Sequence, residues 1–385
     1  MVSSATMKIG FVIDDHMARP GGVQEYVRGL YRYLRDHNHD AVIFSSAGGQ
    51  PQDDLRLIPL GSALPLSGSG SSTSIPVTLT SSMHLRQLLA HEACDVLHVM
   101  APYSPTLSGR LLIHSQAAHV LTFLVAIEPG PYRTLLATLA RLQWRSLHRF
   151  QARVAISETA AETGRALYGG EYEIIPCGVD ARHFTPNVAP LPALCDGWVN
   201  LLYMGRLEER KGVIHLVRAF ARLYNQYPQL RLVIGGDGPE RAALEREAQE
   251  RGLERVVFLG YVSAVDVPRL FASADLFCAP ATYAESFGIV LIEAMAAGLP
   301  IVAAANAGYA GLLSTHPGNL LVPPGDDRAL AGAIATLIMH PTYARTVGAR
   351  NREAAQRYSW QRVGRSVVTL YERISAERYR SKALH

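Results

Sequence analysis

The chain has 385 residues, 48% of them hydrophobic and 18% charged, with a net charge of +4. That length exceeds what one ordinary core holds, so two domains are expected, and the composition is that of a globular rather than a disordered protein. No apolar run approaches the roughly 20 residues that span a bilayer, and the charge is too small to argue for nucleic acid.

Residues 1–6 lack a basic segment followed by an apolar stretch, so no signal peptide is expected, and Met7 reads as a functional start because a strand-like run begins there. Taken along the chain, 8–13 is a short apolar strand, followed by the loop 14–22 and a helix over 23–36. Further strands are expected at 41–45, 95–99 and 119–126. Residues 61–82, rich in Ser, Thr, Gly and Pro, read as a mobile loop. Pro186, Pro190 and Pro192 lie in a non-periodic stretch that reads as a linker, 186–197, so the domains are expected at 1–185 and 198–360. In the second half, strands at 199–204, 230–235, 256–260, 275–279 and 301–305 alternate with helices at 213–227, 240–251, 267–274, after Gly288, and at 328–339. This alternation predicts an α/β chain of two Rossmann-like, doubly wound parallel-sheet domains joined by a linker and facing a cleft.

The four cysteines, Cys94, Cys177, Cys195 and Cys278, are far apart and form no metal-ligand spacing. Cys94 and Cys278 flank strand-like runs and are expected to be small buried hydrophobes; a reducing cytoplasm fits such usage. Only three lysines occur, Lys8, Lys211 and Lys382, against 34 arginines. A lysine kept within Gly205-Arg206-Leu207-Glu208-Glu209-Arg210-Lys211-Gly212 suggests a need for a compact point charge, although chance retention explains it too.

The run from Ala284 to Gly298 is the most informative. From Gly288 it reads as a helix that is apolar all round, hence buried, yet Glu293 sits in its middle and must meet something polar. Glu285 precedes the helix, whose first N–H groups, on Ile289 and Val290, form an anion-attracting terminus beside Phe287 and Gly288. Five residues span about 7.5 Å of rise, roughly the distance from a diphosphate to a ribose. Arg206 and Lys211 follow the strand 199–204, where ligands bind in open α/β sheets, and two cations there suit a departing diphosphate. The alternative is a solvated charged loop. Gly21 and Gly22 open a helix in the first half and would close over phosphates, or simply make a turn. Gly236-Asp237-Gly238-Pro239 either shapes the nucleotide pocket or is a plain turn. No Asp-x-Asp pair occurs, so metal-independent chemistry is expected.

Together these residues resemble the family-4 retaining glycosyltransferases of the GT-B fold over nearly the whole chain, with the nearest look to phosphatidylinositol mannosyltransferase-like members from 20–24 and 102–108. The resemblance implies an N-terminal acceptor-binding domain, a C-terminal nucleotide-sugar-binding domain and a C-terminal helix, 361–385, that crosses back to the first. It implies that Arg206 and Lys211 bind the donor diphosphate, Glu285 the donor sugar and Glu293 the ribose hydroxyls. Backbone N–H groups of Ile289 and Val290, with Gly22, would hold phosphate oxygens. It further implies transfer of a hexose from a nucleotide-diphosphate sugar, GDP-mannose or UDP-hexose, to a lipid, glycolipid or glycan acceptor. Configuration is retained by front-face attack, without an enzymatic nucleophile or a bound cofactor.

Departures fall on the acceptor side. Leu124 follows Thr122-Phe123 where members carry His, Met100 and Ala101 replace His or Glu, Cys177 replaces Asn before Gly178, and Gly311 replaces a Glu. Glu128, His114 and His16 are candidate substitutes, each equally an ordinary surface or loop residue. Residues 132–153 carry Leu135, Leu136, Leu139, Leu142, Leu147 and Phe150 at helical spacing, with Arg141, Arg145 and Arg149 beside them and no acid from 129 to 157. Such a basic amphipathic helix suits an anionic membrane surface, as on the inner face of the cell membrane, or a helix packed on its own sheet. The competing functions are a sugar-nucleotide epimerase and a donor-binding partner subunit without transfer activity.

Overall fold

Short β-branched and aliphatic runs alternate with helices along most of the chain, and each run becomes a strand of one of two parallel sheets. The structure is a computed structural model that describes residues 6–18, 21–46, 54–68, 71–77, 80–141 and 144–383. It divides into two compact units, residues 1–178 with 360–385, and residues 179–359.

The first unit contains β1 (Lys8–Ile13), β2 (Asp40–Ser45), β3 (Leu57–Pro59), β4 (Ser62–Gly68), β5 (Ser71–Val77), β6 (Val96–Ala101), β7 (Ala118–Phe123), β8 (Ala152–Ala155) and β9 (Glu173–Ile174). Seven of them form one sheet in the order β3-β2-β1-β6-β7-β8-β9, every pair parallel. The helices are α1 (Gly22–Asp36), α2 (Ser82–Glu92), α3 (Ser108–His114), α4 (Pro131–Arg141), α5 (Trp144–Leu147) and α6 (Glu158–Tyr168), with the C-terminal helix Trp360–Ala383. On α1, Val27, Leu30, Tyr31 and Leu34 are buried at i, i+3, i+4 and i+7, the spacing of a helix laid on a sheet.

Two expectations for this unit are corrected. The described part of 61–82 is not a loop: β4 and β5 pair antiparallel from Ser62 with Val77 to Gly68 with Ser71, and α2 begins at Ser82. Thr, Ile and Val suit a strand, and the Ser, Gly and Pro among them hid it. Nor is 132–153 one amphipathic helix. The helical part ends at Leu147, and Ala152 and Arg153 already belong to β8. Leu147 is buried. Arg149 donates to the Ser115 carbonyl at 3.0 Å and Arg153 to that of Tyr168 at 3.3 Å, so these two arginines fasten loops instead of forming a stripe with α4. Arg141, Leu142 and Arg145 have side chains outside the described residues.

His98, in the middle of β6, is buried and hydrogen-bonded through Nδ1 to Tyr371 of the C-terminal helix and through Nε2 to Thr122 of β7. Burial lowers its pKa to about 3. The loop after β1 behaves oppositely. Burial pushes the Asp14 carboxyl up to about 6, although it accepts a hydrogen bond from the Ser104 N–H.

The second unit contains β10 (Val199–Met204), β11 (Leu230–Gly235), β12 (Val256–Gly260), β13 (Leu276–Ala279), β14 (Ile301–Ala304) and β15 (Leu320–Val322), all parallel in the order β12-β11-β10-β13-β14-β15. Its helices are α7 (Val213–Leu223), α8 (Arg241–Glu250), α9 (Asp266–Ala272), α10 (Ile289–Ala296), α11 (Ala307–Leu313), α12 (Asp327–Met339) and α13 (Pro341–Ala355). Leu216, Val217 and Phe220 of α7 and Leu330 and Ile334 of α12 close one apolar cluster over Leu201, Leu232 and Val302 of the sheet. Residues 186–197 lie along this unit: Leu194 is buried, the Leu191 N–H donates to Ser273, and Arg269 donates to the Ala189 carbonyl.

The chain leaves β10 toward β11 and β12 and returns on the other side at β13. The loops after β10 and β13 therefore meet at a topological switch point, where open α/β sheets bind ligands. Gly236, just after β11 and at φ 126°, packs against the loop after β10, because a Cβ there would run into the Gly205 carbonyl oxygen.

Gly236→Ala is expected to cost about 2–4 kcal/mol in urea unfolding, through strain and overlap together. Gly311→Ala, on α11 with open space around it, is expected to be neutral or to gain up to about 1 kcal/mol. Equal midpoints for the two variants would contradict this reading of the loop. The pH response follows from His98. Below its ordinary pKa of 6.5 only the unfolded chain takes up its proton, so its contribution is lost as pH falls from 6.5 toward 3. Asp14 acts in the opposite sense, since its raised pKa lets the folded state hold a proton below about 6. Between pH 6.5 and 5 the His98 share is roughly 2 kcal/mol, read as the difference in slope between the wild type and His98→Gln. Identical slopes would show that His98 does not titrate in the unfolded chain alone.

Candidate functional site

The site is built outward from the end of β10. Tyr203 is buried there and its hydroxyl donates to the Arg206 carbonyl at 2.9 Å. Leu207, fully buried, is pinned by its N–H to the Asp237 carbonyl and by its own carbonyl to the Glu240 N–H, both at 3.0 Å. The turn Gly236-Asp237-Gly238-Pro239 thus supports the loop that carries Arg206. The chain then makes a tight turn, with the Lys211 and Gly212 N–H groups bonded to the carbonyls of Glu208 and Glu209, and α7 starts.

This anchoring turns Glu208 inward, where its side chain is only 2% exposed. A carboxylate so placed needs paired charge. Arg206 Nε lies 3.2 Å from one oxygen and Arg210 Nε 3.1 Å from the other. Arg210 reaches on with Nη1, 2.7 Å from Glu285 Oε1, and Lys211 Nζ is 2.7 Å from that same oxygen. Arg206, Glu208, Arg210, Glu285 and Lys211 form one charge network across the two loops of the switch point. The segment is not the solvated loop that its alternating charges allow. Burial works against the charge on Arg210, but Glu285 and Glu208 outweigh it and hold its pKa above the ordinary value.

Glu285 is held from the other side too. Thr282 bonds the Arg210 carbonyl through its N–H and its hydroxyl, at 2.8 and 3.1 Å, tying the loop after β13 to the loop after β10. Asn306 caps α11 and donates to the Ala281 carbonyl at 2.8 Å. That cap places Tyr309, which is buried; burial first, then the nearby Glu285 charge, raises its pKa well above the usual phenol. Gly288, at φ 96°, turns the chain into α10. The first N–H groups of that helix, on Ile289 and Val290, have no carbonyl one turn back to bond. The helix is not buried all round, as its composition suggested. Ile289, Val290 and Glu293 are half-buried and share one face, while Leu291, Ile292, Ala294, Met295 and Ala296 face the core. Phe287 is buried and meets the Tyr358 ring edge-on at 5.8 Å.

Lys211 and Glu285 are thus in direct contact and Arg206 joins them through Glu208. Gly288, Ile289, Val290 and Glu293 stand on the neighbouring helix start. Gly21 and Gly22 belong to the first unit, where Gly21 has extended backbone at the start of α1 and Gln24 ties the preceding loop through Asp15 at 3.1 Å. Sequence reasoning missed Glu208, Arg210, Thr282 and Tyr309. The one local signal was the acid directly after Leu207, an apolar residue that has to be buried.

On the first unit, Leu124, Met100 and Ala101 are all buried. Of the proposed substitutes, Glu128 is exposed, His16 is half-buried, and burial with Arg86 nearby lowers the pKa of His114. Among the described residues no helix is long and apolar enough to cross a membrane.

Comparison with known proteins agrees with this architecture. The model of the glycosyl transferases group 1 family matches residues 199–354, and that of glycosyltransferase family 4 matches residues 20–183. The phosphatidyl-myo-inositol mannosyltransferase of Mycolicibacterium smegmatis is 30% identical over 96% of this chain and 94% of its own. That of Mycobacterium tuberculosis is 31% identical over 96% and 97%. Among solved structures, HepE of Anabaena, crystallised with UDP and glucose, superposes with a TM-score of 0.73 over 95% of this chain and 99% of its own, at 22% identity. The chain therefore belongs to the family-4 glycosyltransferases of the GT-B fold and is phosphatidyl-myo-inositol mannosyltransferase-like over nearly all its length.

Proposed function

We propose that this glycosyltransferase is a retaining hexosyltransferase that takes a hexose from a nucleotide-diphosphate sugar, GDP-mannose or UDP-hexose, and passes it to a lipid, glycolipid or glycan acceptor. The observation that carries the reading is the charge network at the switch point of the second unit. It gathers three cations beside an open helix start, a combination suited to a diphosphate.

In this reading Arg206 and Lys211, with the N–H groups of Ile289 and Val290, bind the diphosphate and stabilise the charge that grows on it as the glycosidic bond breaks. Glu285 receives hydroxyls of the donor sugar and Glu293 those of the ribose. The acceptor oxygen attacks the anomeric carbon on the face the diphosphate leaves. The bond from that carbon to the phosphate oxygen breaks, and the acceptor proton passes to the leaving phosphate. No enzymatic nucleophile is required, and cationic side chains do the work that a metal would otherwise do. A lipid acceptor would be met at a membrane surface by the first unit, where Tyr132 and Leu135 stand exposed on α4 at 55% and 56%. Their Asp substitutions should then reduce co-flotation with anionic vesicles.

Turnover tests the reading: each candidate donor is incubated with the protein without acceptor, and slow hydrolysis of one of them is expected. Donor binding without any hydrolysis or transfer would favour a mere binding protein. Lys211→Ala is expected to weaken nucleoside-diphosphate binding by about 1.5–3 kcal/mol, the scale of a charge-assisted hydrogen bond. Unchanged affinity by calorimetry would remove Lys211 from the site.

A further inference from the structure

Two cations converge on one oxygen of Glu285, and they are not equivalent. Arg210 is gripped at both ends of its guanidinium, by Glu208 at 3.1 Å and by Glu285 at 2.7 Å, and its carbonyl is bonded twice by Thr282. Lys211 is held at its ammonium by Glu285, at 2.7 Å, on a flexible stem that allows the charge to swing. Were Lys211 the sole partner of Glu285, moving it onto a phosphate would strand a carboxylate that is only 10% exposed beside an incoming dianion. Such an unpaired buried charge is strongly unfavourable, because nothing offsets its lost hydration.

We propose that Arg210 is the fixed counter-ion of Glu285 and Lys211 the exchangeable one, so that donor binding trades the Lys211–Glu285 pair for a Lys211–phosphate pair while Arg210 keeps Glu285 neutralised and aimed. Glu208 is the positioning residue that makes this work. Buried between two guanidiniums, it fixes Arg210 toward Glu285 with one oxygen and Arg206 with the other. The proposal rests on the nucleotide-sugar reading of this site. It adds that Arg210 raises diphosphate affinity without touching the diphosphate.

The test is calorimetric titration of the full chain with UDP and with GDP, neither of which carries a sugar for Glu285 to bind. Arg210→Met should weaken binding about tenfold, within the usual range for coupled members of one ion-pair network. Glu285→Gln alone should bind at least about threefold tighter than wild type, because Lys211 no longer has a partner to leave. The double variant Arg210→Met/Glu285→Gln should bind within about threefold of Glu285→Gln, since without the Glu285 charge Arg210 has nothing to neutralise. Arg210 touching phosphate directly would leave the double variant as weak as Arg210→Met, and that result overturns the proposal. So does an unchanged Arg210→Met, or a Glu285→Gln protein that binds no tighter, a comparison that stands even if Arg210→Met fails to fold. A wild type that binds neither nucleotide removes the site reading itself and this proposal with it.

Discussion

A single carboxylate oxygen, Glu285 Oε1, carries two cations from a loop that lies 75 residues earlier in the chain. That convergence sets where the charged side chains of the site stand relative to one another. Three positive side chains near one another repel, and the loop that bears them contains Glu208 and Glu209 as well. What holds it is the burial of Glu208 between Arg206 and Arg210 and the reach of Arg210 across to Glu285. A buried ion pair is poor evidence for stability, because desolvation offsets most of its attraction. Its better-attested use is to impose one arrangement on groups that have several, and here the arrangement imposed is a set of cations beside an open helix start.

The sheet supplies the geometry that makes this possible. In the second unit the order of strands reverses between β10 and β13, and the loops after those two strands are the ones that bear the charges. Each loop is then fastened by uncharged contacts. Leu207 is anchored to the Gly236 turn, Thr282 to the Arg210 carbonyl, and Asn306 to the Ala281 carbonyl. The first unit repeats the parallel plan with its own reversal between β1 and β6. Asp14 stands at the end of β1 and accepts from Ser104, in the loop after β6.

How much of this was legible in the sequence follows from how local each signal is. Strands buried on both faces read as continuous apolar runs, so Lys8–Ile13, Val199–Met204 and Leu230–Gly235 fall where those runs placed them, and the half-buried edge strand Val256–Gly260 does so too. The α10 segment stood out because a carboxylate sits in an apolar helix, though Glu293 proves to lie on a half-buried face with Ile289 and Val290. Glu208 and Arg210 were hidden for the opposite reason. A run of alternating charges looks solvated, and only the anchoring of Leu207 turns one acid inward. Tyr309 and Thr282 could not be read at all, since their contact with Glu285 and Arg210 exists only once distant loops are brought together. The hairpin of β4 and β5 and the end of α5 at Leu147 were missed where composition outweighed pattern: Ser, Gly and Pro suggested a loop, and leucine spacing suggested a helix running on to 153.

The central claim is that this network is the place where a nucleoside diphosphate is held, with Lys211 as the cation that changes partner. A crystal structure of the protein with GDP or UDP tests it most directly. The account predicts phosphate oxygens within hydrogen-bond distance of Arg206, Lys211 and the N–H groups of Ile289 and Val290, with Arg210 still on Glu285. A diphosphate bound elsewhere, or bound here with Lys211 still on Glu285, would contradict it.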